Sequence, residues 1–252
     1  MTPSSNPGED AMRFMVMHKM TEEMEQGLPP SPAIIEGIGK LVEEGAKEKV
    51  FVSGEGLKPS SQRVHIAYKN GKRTLTNGPF TDARELVAGF ALMRARSKEE
   101  AISWCDKFAA VLGDVELFMG PVNEAWDLGL MPKPENAPLR FLLMHKLDER
   151  SETEAPPAPP LMAKLGALID EMTKAGVLQA TGGLASTKKG ARIRYEGGKR
   201  TVLDGPFTES KELIAGYAIL DVPSKAAAIE WALRFGEIVT VNEIEVRQLS
   251  EG

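Results

Sequence analysis

KRTVLDGPFTE (199–209) repeats KRTLTNGPFTD (72–82), and that repetition decides how the whole chain is read. An offset of 127 positions sets MRFMVMHK (12–19) on LRFLLMHK (139–146). The same offset sets His18 on His145, Tyr68 on Tyr195, Gly78 on Gly205, Trp104 on Trp231 and Phe108 on Phe235. It never changes, so neither copy has gained or lost a residue between its first and last strands. The period is too long for a solenoid, whose repeats run to about 50 residues. Two fused domains are expected, 12–120 and 139–250. They are joined by a linker, PVNEAWDLGLMPKPENAP (121–138), which has four prolines and little periodicity. Residues 1–11 lack the basic and apolar regions of a signal peptide and read as a disordered tail.

Reading the copies together predicts the elements. Residues 12–18 and 139–145 are short apolar runs, hence buried strands. Pro-rich loops follow, and then Ile34, Ile35, Ile38, Leu41 and Val42 fall at helical spacing, as do Leu161, Met162, Leu165, Leu168 and Ile169. Gly176 suits a left-handed helix end, whereas Lys49 holds that place in the first copy and predicts an earlier stop at Gly45. Asn70-Gly71 and Gly197-Gly198 predict tight hairpins. Strands are expected at 86–93 and 213–220. Ser97 with Glu100, and Ser224 alone, cap a second helix in each copy, and a last strand follows. The order β-α-β-β-β-α-β is an α+β, ferredoxin-like plan with an extra hairpin strand. A sheet with helices on one face leaves the other bare, and a unit this small cannot easily keep it wet. The copies are therefore expected to pack sheet against sheet as a fused pseudo-dimer.

Composition narrows the function. Of 252 residues, 42% are hydrophobic and 27% charged, as in an ordinary globular protein. A net charge of −5 gives no reason to expect nucleic acid. No apolar run approaches the roughly 20 residues of a membrane span. One cysteine makes no internal disulfide, which points to a cytoplasmic protein. The scattered histidines lack the spacing of a metal site, and no phosphate-cradling loop is present, so neither metal nor cofactor is expected.

DGPFTE (204–209), with GGKRTVL before it and KELIAGYAILDVPSKAAAIEWA after it, resembles the YCII-related proteins and in particular their DGPF subgroup. Gly56-Leu57, Gly183-Leu184 and EIEVR (243–247) fit the same pattern. The resemblance spans nearly the whole chain, once per copy. It implies a dimeric α+β barrel of ferredoxin-like units, here within one chain. It also implies either a small-molecule protein with acid–base chemistry (a chloride-removing lyase is among the relatives) or an accessory protein of an extracytoplasmic-function sigma factor. Two departures stand out. The family's histidine near the start of the first helix is missing from PAIIEG (32–37) and PLMAKL (160–165), and Asn77 replaces the signature aspartate in the first copy.

The candidate catalytic residues are His145, Asp204 and His18. A carboxylate at Asp204 can act as a base where Asn77 can only hydrogen-bond, although both residue types also shape turns. His18 and His145 end the first strand of each copy, followed by Lys19 and Lys146, at a sheet margin where clefts form. Arg13 and Arg140 stand in otherwise apolar strands and need partners, either Glu116 or Glu243 or an anionic ligand. Asn77, Lys19 and Lys146 complete the candidate ligand-binding set. The expected partner is a small molecule in a cleft beside the sheet interface, with further assembly of pseudo-dimers left open. His65, matched by Arg192, reads as a surface residue, and Cys105 as inert core.

Overall fold

Strands β1 (Met12–Lys19) and β2 (Phe51–Gly56) carry between them the short helix α1 (Glu22–Glu25) and the longer α2 (Pro32–Lys47). The hairpin β3 (Val64–Lys69) and β4 (Lys72–Asn77) follows, then β5 (Val87–Ala95), α3 (Lys98–Leu112) and β6 (Val115–Pro121). The second copy repeats the order: β7 (Leu139–Lys146), α4 (Glu149–Thr153), α5 (Pro159–Lys174), β8 (Leu178–Gly183), β9 (Ala191–Glu196), β10 (Lys199–Asp204), β11 (Ile214–Val222), α6 (Lys225–Val239) and β12 (Glu243–Gln248). This computed structural model describes residues 12–80, 86–208 and 213–250; the tail expected at 1–11 lies outside the described residues.

Local chemistry explains the element ends. Asn70 and Gly71, and likewise Gly197 and Gly198, take the positive φ that a tight hairpin demands. Helices α3 and α6 start where Ser97 and Ser224 accept the N–H of Glu100 and Ala227. Glu100 reaches back to the Arg96 N–H at 2.6 Å. The early stop expected at Gly45 does not occur. Helix α2 runs on to Lys47, and Lys49 adopts φ 60° where its counterpart Gly176 has φ 69°. Gly45 instead serves packing, since a Cβ there would lie 3.0 Å from the Phe51 side chain and 3.4 Å from Trp231.

The strands form two six-stranded antiparallel sheets, ordered β10-β9-β12-β1-β11-β2 and β4-β3-β6-β7-β5-β8. Neither sheet belongs to one copy. The β1–α2–β2 segment of the first copy sits among β9–β12 of the second, and β7–α5–β8 sits among β3–β6. The paired register repeats faithfully: Met15 faces Ile219 in one sheet, and Leu142 faces Leu92 in the other. Helix packing follows the exchange. Arg234 of α6 pairs with Glu44 of α2, and the matched Lys107 of α3 meets Glu171 of α5 at 2.6 Å. Because MRFMVMHK and LRFLLMHK carry the same pattern, a sequence cannot say which copy's β5 or β11 each will join.

The alternation of β1 and β7 sorts side chains between two layers. Met15, Met17, Leu142 and Met144 meet Phe90, Leu92, Tyr217 and Ile219 in a buried cluster between the sheets. Phe90 and Tyr217 touch across it, with ring centroids 5.6 Å apart. Phe14 and Val16 face α2 and α6, while Phe141 and Leu143 face α3 and α5. Fully burying a side chain of this size contributes about 1.5–3 kcal/mol, so the three clusters supply most of the drive for folding. At two corners the sheets touch through the backbone. Leu57 bridges to Val122 beyond β2 and β6, and Leu184 bridges to Leu249 beyond β8 and β12.

Candidate functional site

The repeated Gly-Pro-Phe phrase is held by a relay of hydrogen bonds. In the second copy the Glu152 carboxylate of α4 accepts from Ser186 Oγ at 3.2 Å, Thr187 Oγ1 at 2.5 Å and the Thr187 N–H at 3.1 Å. Burial raises the Glu152 pKa, but these bonds and the Arg247 charge outweigh it and the net shift is downward. Thr187 Oγ1 in turn accepts the Phe207 N–H at 3.3 Å. The first copy repeats the relay: Glu25 holds Ser60, whose hydroxyl accepts the Phe80 N–H at 3.1 Å. Gly78 and Gly205 let the loop lie against this turn, for a Cβ would fall 1.9 Å from the Ser60 carbonyl oxygen or 1.8 Å from that of Thr187.

Asn77 and Asp204 end exposed edge strands and do the same work. Asn77 Oδ1 accepts from Lys98 Nζ at 3.2 Å, and Asp204 Oδ1 from the matched Lys225 at 2.6 Å. The Asp204 side chain is 73% exposed. Asp204→Asn is therefore expected to change stability by less than about 0.5 kcal/mol in urea unfolding, as an exposed pair should. A loss above about 1.5 kcal/mol would show that the carboxylate has a further partner.

Arg140 pairs with neither glutamate expected from the sequence. It bridges Glu55 of β2 and Glu124 beyond β6, with Nε 2.7 Å from Glu124, so it links the two sheets at one corner. Those two carboxylates raise its already high pKa against the opposing effect of burial. Arg13, its counterpart, is exposed, and Gly182 stands where Glu55 does. His65 is half-buried and stacks on Phe118 at 4.7 Å, with Nε2 3.2 Å from Glu116. In the other sheet the matched residues form a buried ion pair instead, Arg192 to Glu245 at 3.0 Å.

That pair belongs to a charged cluster of Lys19, Arg192, Glu243, Glu245 and Arg247, each no more than 7% exposed. Burial raises the Glu245 pKa, but Lys19, Arg247 and Arg192 lower it more. Arg247 lies over Gly190, whereas in the matched place Arg63 lies over Gly120. Arg247 donates to the Ala185 carbonyl at 2.6 Å and Arg63 to that of Lys58 at 2.7 Å, which are matched acceptors. A guanidinium thus fills the same place in both halves from opposite strands. Sequence alignment hides this exchange, because it sets each arginine on a glycine.

The histidines face the helices, not the space between the sheets. His18 packs against Phe235 at 5.1 Å and lies over Gly216; His145 packs against Phe108 at 5.6 Å and lies over Gly89. Burial pulls both imidazole pKa values down to about 4. At His18 a backbone hydrogen bond at Lys19 opposes the fall and the Arg63 and Lys19 charges add to it, while at His145 Asp148 opposes it. Both rings are uncharged at neutral pH. Lys19 is buried, whereas Lys146 keeps 23% exposure of its side chain and lies 3.7 Å from Glu116.

The surroundings of the two rings differ. A cleft of about 1630 Å³ opens between α5 and the outer face of its sheet and reaches round β8 to the Leu184–Leu249 corner. Ala91, Met93, Phe108, Leu143, Leu165 and Thr181 line it, with His145, Lys146, Glu116 and Tyr68 at one end. In the other half α2 sits tightly. Gly45 admits Phe51 and Trp231, and a Cβ on Gly37 would be 2.8 Å from Ile238. The matched positions of α5 carry Met172 and Lys164, and buried Met172 fills the space that Gly45 leaves to its neighbours. Of the candidate residues, then, the fold brings His145 and Lys146 together in the cleft and leaves Asn77, Asp204 and Arg13 on the surface. Arg140 stays in a structural ion pair, His18 packs against Phe235 of α6, and Lys19 is buried in the charged cluster.

Among the described residues there is no cluster of histidine, cysteine and acidic side chains suited to a metal, and no helix is long and apolar enough to cross a membrane. A protein of Rhizobium meliloti (strain 1021), itself uncharacterised, is 33% identical over 72 residues, which cover 29% of this chain and 58% of that protein. The profile of the YCII-related domain matches residues 12–116 and again 139–250. With both copies of the repeat matched, the chain belongs to the YCII-related family and carries its domain twice in tandem.

Proposed function

We propose that the protein is a small-molecule binder whose site is the cleft between α5 and its sheet, with His145 as its uncharged imidazole. The observation that carries this is the contrast between halves: α2 packs closely on its neighbours through Gly37 and Gly45, whereas beside α5 a cleft opens that His145 lines. Ligand sites are commonly concave, mostly apolar and supplied with a few convergent polar groups, and this cleft has that composition. We further propose that the two sheets act as an intramolecular dimeric α+β barrel, which the backbone bridges at Leu57–Val122 and Leu184–Leu249 support. Covalent fusion makes that sheet–sheet contact independent of protein concentration. A neutral imidazole beside the cleft accepts or donates a hydrogen bond. With a pKa near 4 it is a weak base at neutral pH, so the proposal is of binding rather than of proton abstraction.

The test is chemical-shift mapping with a mixed fragment library. Shifts should gather at Ala91, Leu165 and Thr181, and Ala91→Phe should abolish them while leaving the rest of the spectrum in place. Fragments that gather elsewhere, with the cleft silent, would overturn the assignment.

A further inference from the structure

We propose that the cleft takes an uncharged ligand: an elongated or flat apolar body carrying one hydrogen-bonding group for His145. This rests on the small-molecule reading above and adds the class of ligand. All but one of the charges around the cleft are already committed. Of its four carboxylates, Glu116 meets His65 at 3.2 Å and Lys146 at 3.7 Å, and Glu154 meets Lys189 at 3.0 Å. Asp148 accepts from the Ser151 N–H and hydroxyl at 2.8 and 2.7 Å, capping α4, and Asp114 accepts the Asn70 N–H at 2.8 Å. Two of the three lysines, Lys146 and Lys189, are partners in those pairs, and the third, Lys69, sits at the exposed end of β3. The walls are mostly alanine, leucine, methionine and aromatic side chains, with Thr181, Gln248 and Ser250 among the uncharged polar groups. A charged ligand would have to lose its water against them and compete for partners already engaged, which is costly. An uncharged one loses only a hydrogen bond or two, and His145 can replace one of them.

Two dyes with the same ring body separate the possibilities: N-phenyl-1-naphthylamine, which is neutral, and 8-anilino-1-naphthalenesulfonate, which adds one negative charge. In titrations of the full chain at pH 7.5, the neutral dye should brighten on binding and be held at least tenfold more tightly. His145→Phe should weaken the neutral dye at least threefold, and His145→Gln, which keeps an acceptor, should restore most of that. Ala91→Phe, or Leu165→Trp should the first fail to fold, should abolish binding. A sulfonate bound within tenfold of the neutral dye would overturn the charge argument while leaving a small-molecule site in place. An unaltered affinity in His145→Phe would remove the histidine contact. If neither dye binds the wild-type chain, the cleft is not a binding site and the reading beneath this one falls as well.

Discussion

Gly205→Ala should cost about 3 kcal/mol or more in urea unfolding, near the upper end for a single added methyl group. The reason is geometric. The new Cβ would lie 1.8 Å from the Thr187 carbonyl oxygen and 2.6 Å from its carbon, and these are backbone atoms that cannot swing aside. Moving the turn instead would break the bonds that Glu152 makes to Ser186 and Thr187. Gly78→Ala should behave alike, since Ser60 stands 1.9 Å from its Cβ position. Gly39→Ala and Gly166→Ala are the controls. Both lie in helices with nothing within 4 Å, and alanine there should stabilise by up to about 1 kcal/mol. A Gly205→Ala protein less than about 1 kcal/mol weaker than wild type would show that the loop is not clamped in this way.

Acid should loosen the protein well before its carboxylates titrate. His18 and His145 have folded-state pKa values near 4 against 6.5 in an unfolded chain. Between those values the unfolded chain binds protons that the folded one refuses, so stability falls as pH falls, starting near 6.5 and levelling off below 4. From pH 7.5 to 5 each histidine should remove about 2 kcal/mol, roughly 4 in all. His18→Gln and His145→Gln should each abolish about half of that dependence, whatever they do to stability at pH 7.5. Glu245 and Glu152, whose pKa values are lowered, contribute in the same direction but only at more acid pH. A wild-type loss below about 1 kcal/mol between pH 7.5 and 5 would contradict the burial of both rings.

Much of the fold was legible because each element was written twice. Helical spacing at Ile34–Val42 and Leu161–Ile169, the Asn-Gly and Gly-Gly turns and the serine caps all sit where the structure has them. What the repeat could not reveal follows from the repeat itself. Matched strands are interchangeable in pattern, so the exchange of β1–β2 and β7–β8 leaves no trace in periodicity. The candidate site was less legible. His145 and Lys146 were visible as a strand end, but the cleft beside them depends on Met172 and Lys164 where α2 has Gly45 and Gly37. The Arg63–Gly120 and Gly190–Arg247 exchange is invisible by alignment. It becomes evident only when both arginines are seen donating to matched carbonyls. Asp204 drew attention for its charge, yet its neighbour Gly205 carries the constraint.

The exchange of strands between copies also sets an order of assembly. Synthesis runs from the N-terminus, and the sheet that ends on β8 has all its strands once residue 183 has left the ribosome. The sheet containing β1 must wait for β11 and β12 at the far end of the chain, where Met15 finally meets Arg247. Until then the first segment made is a hydrophobic strand-helix-strand without its neighbours, and closing so long a loop is slow. A stalled or truncated chain should therefore fail first around the β1–α2–β2 segment, although that segment is translated first.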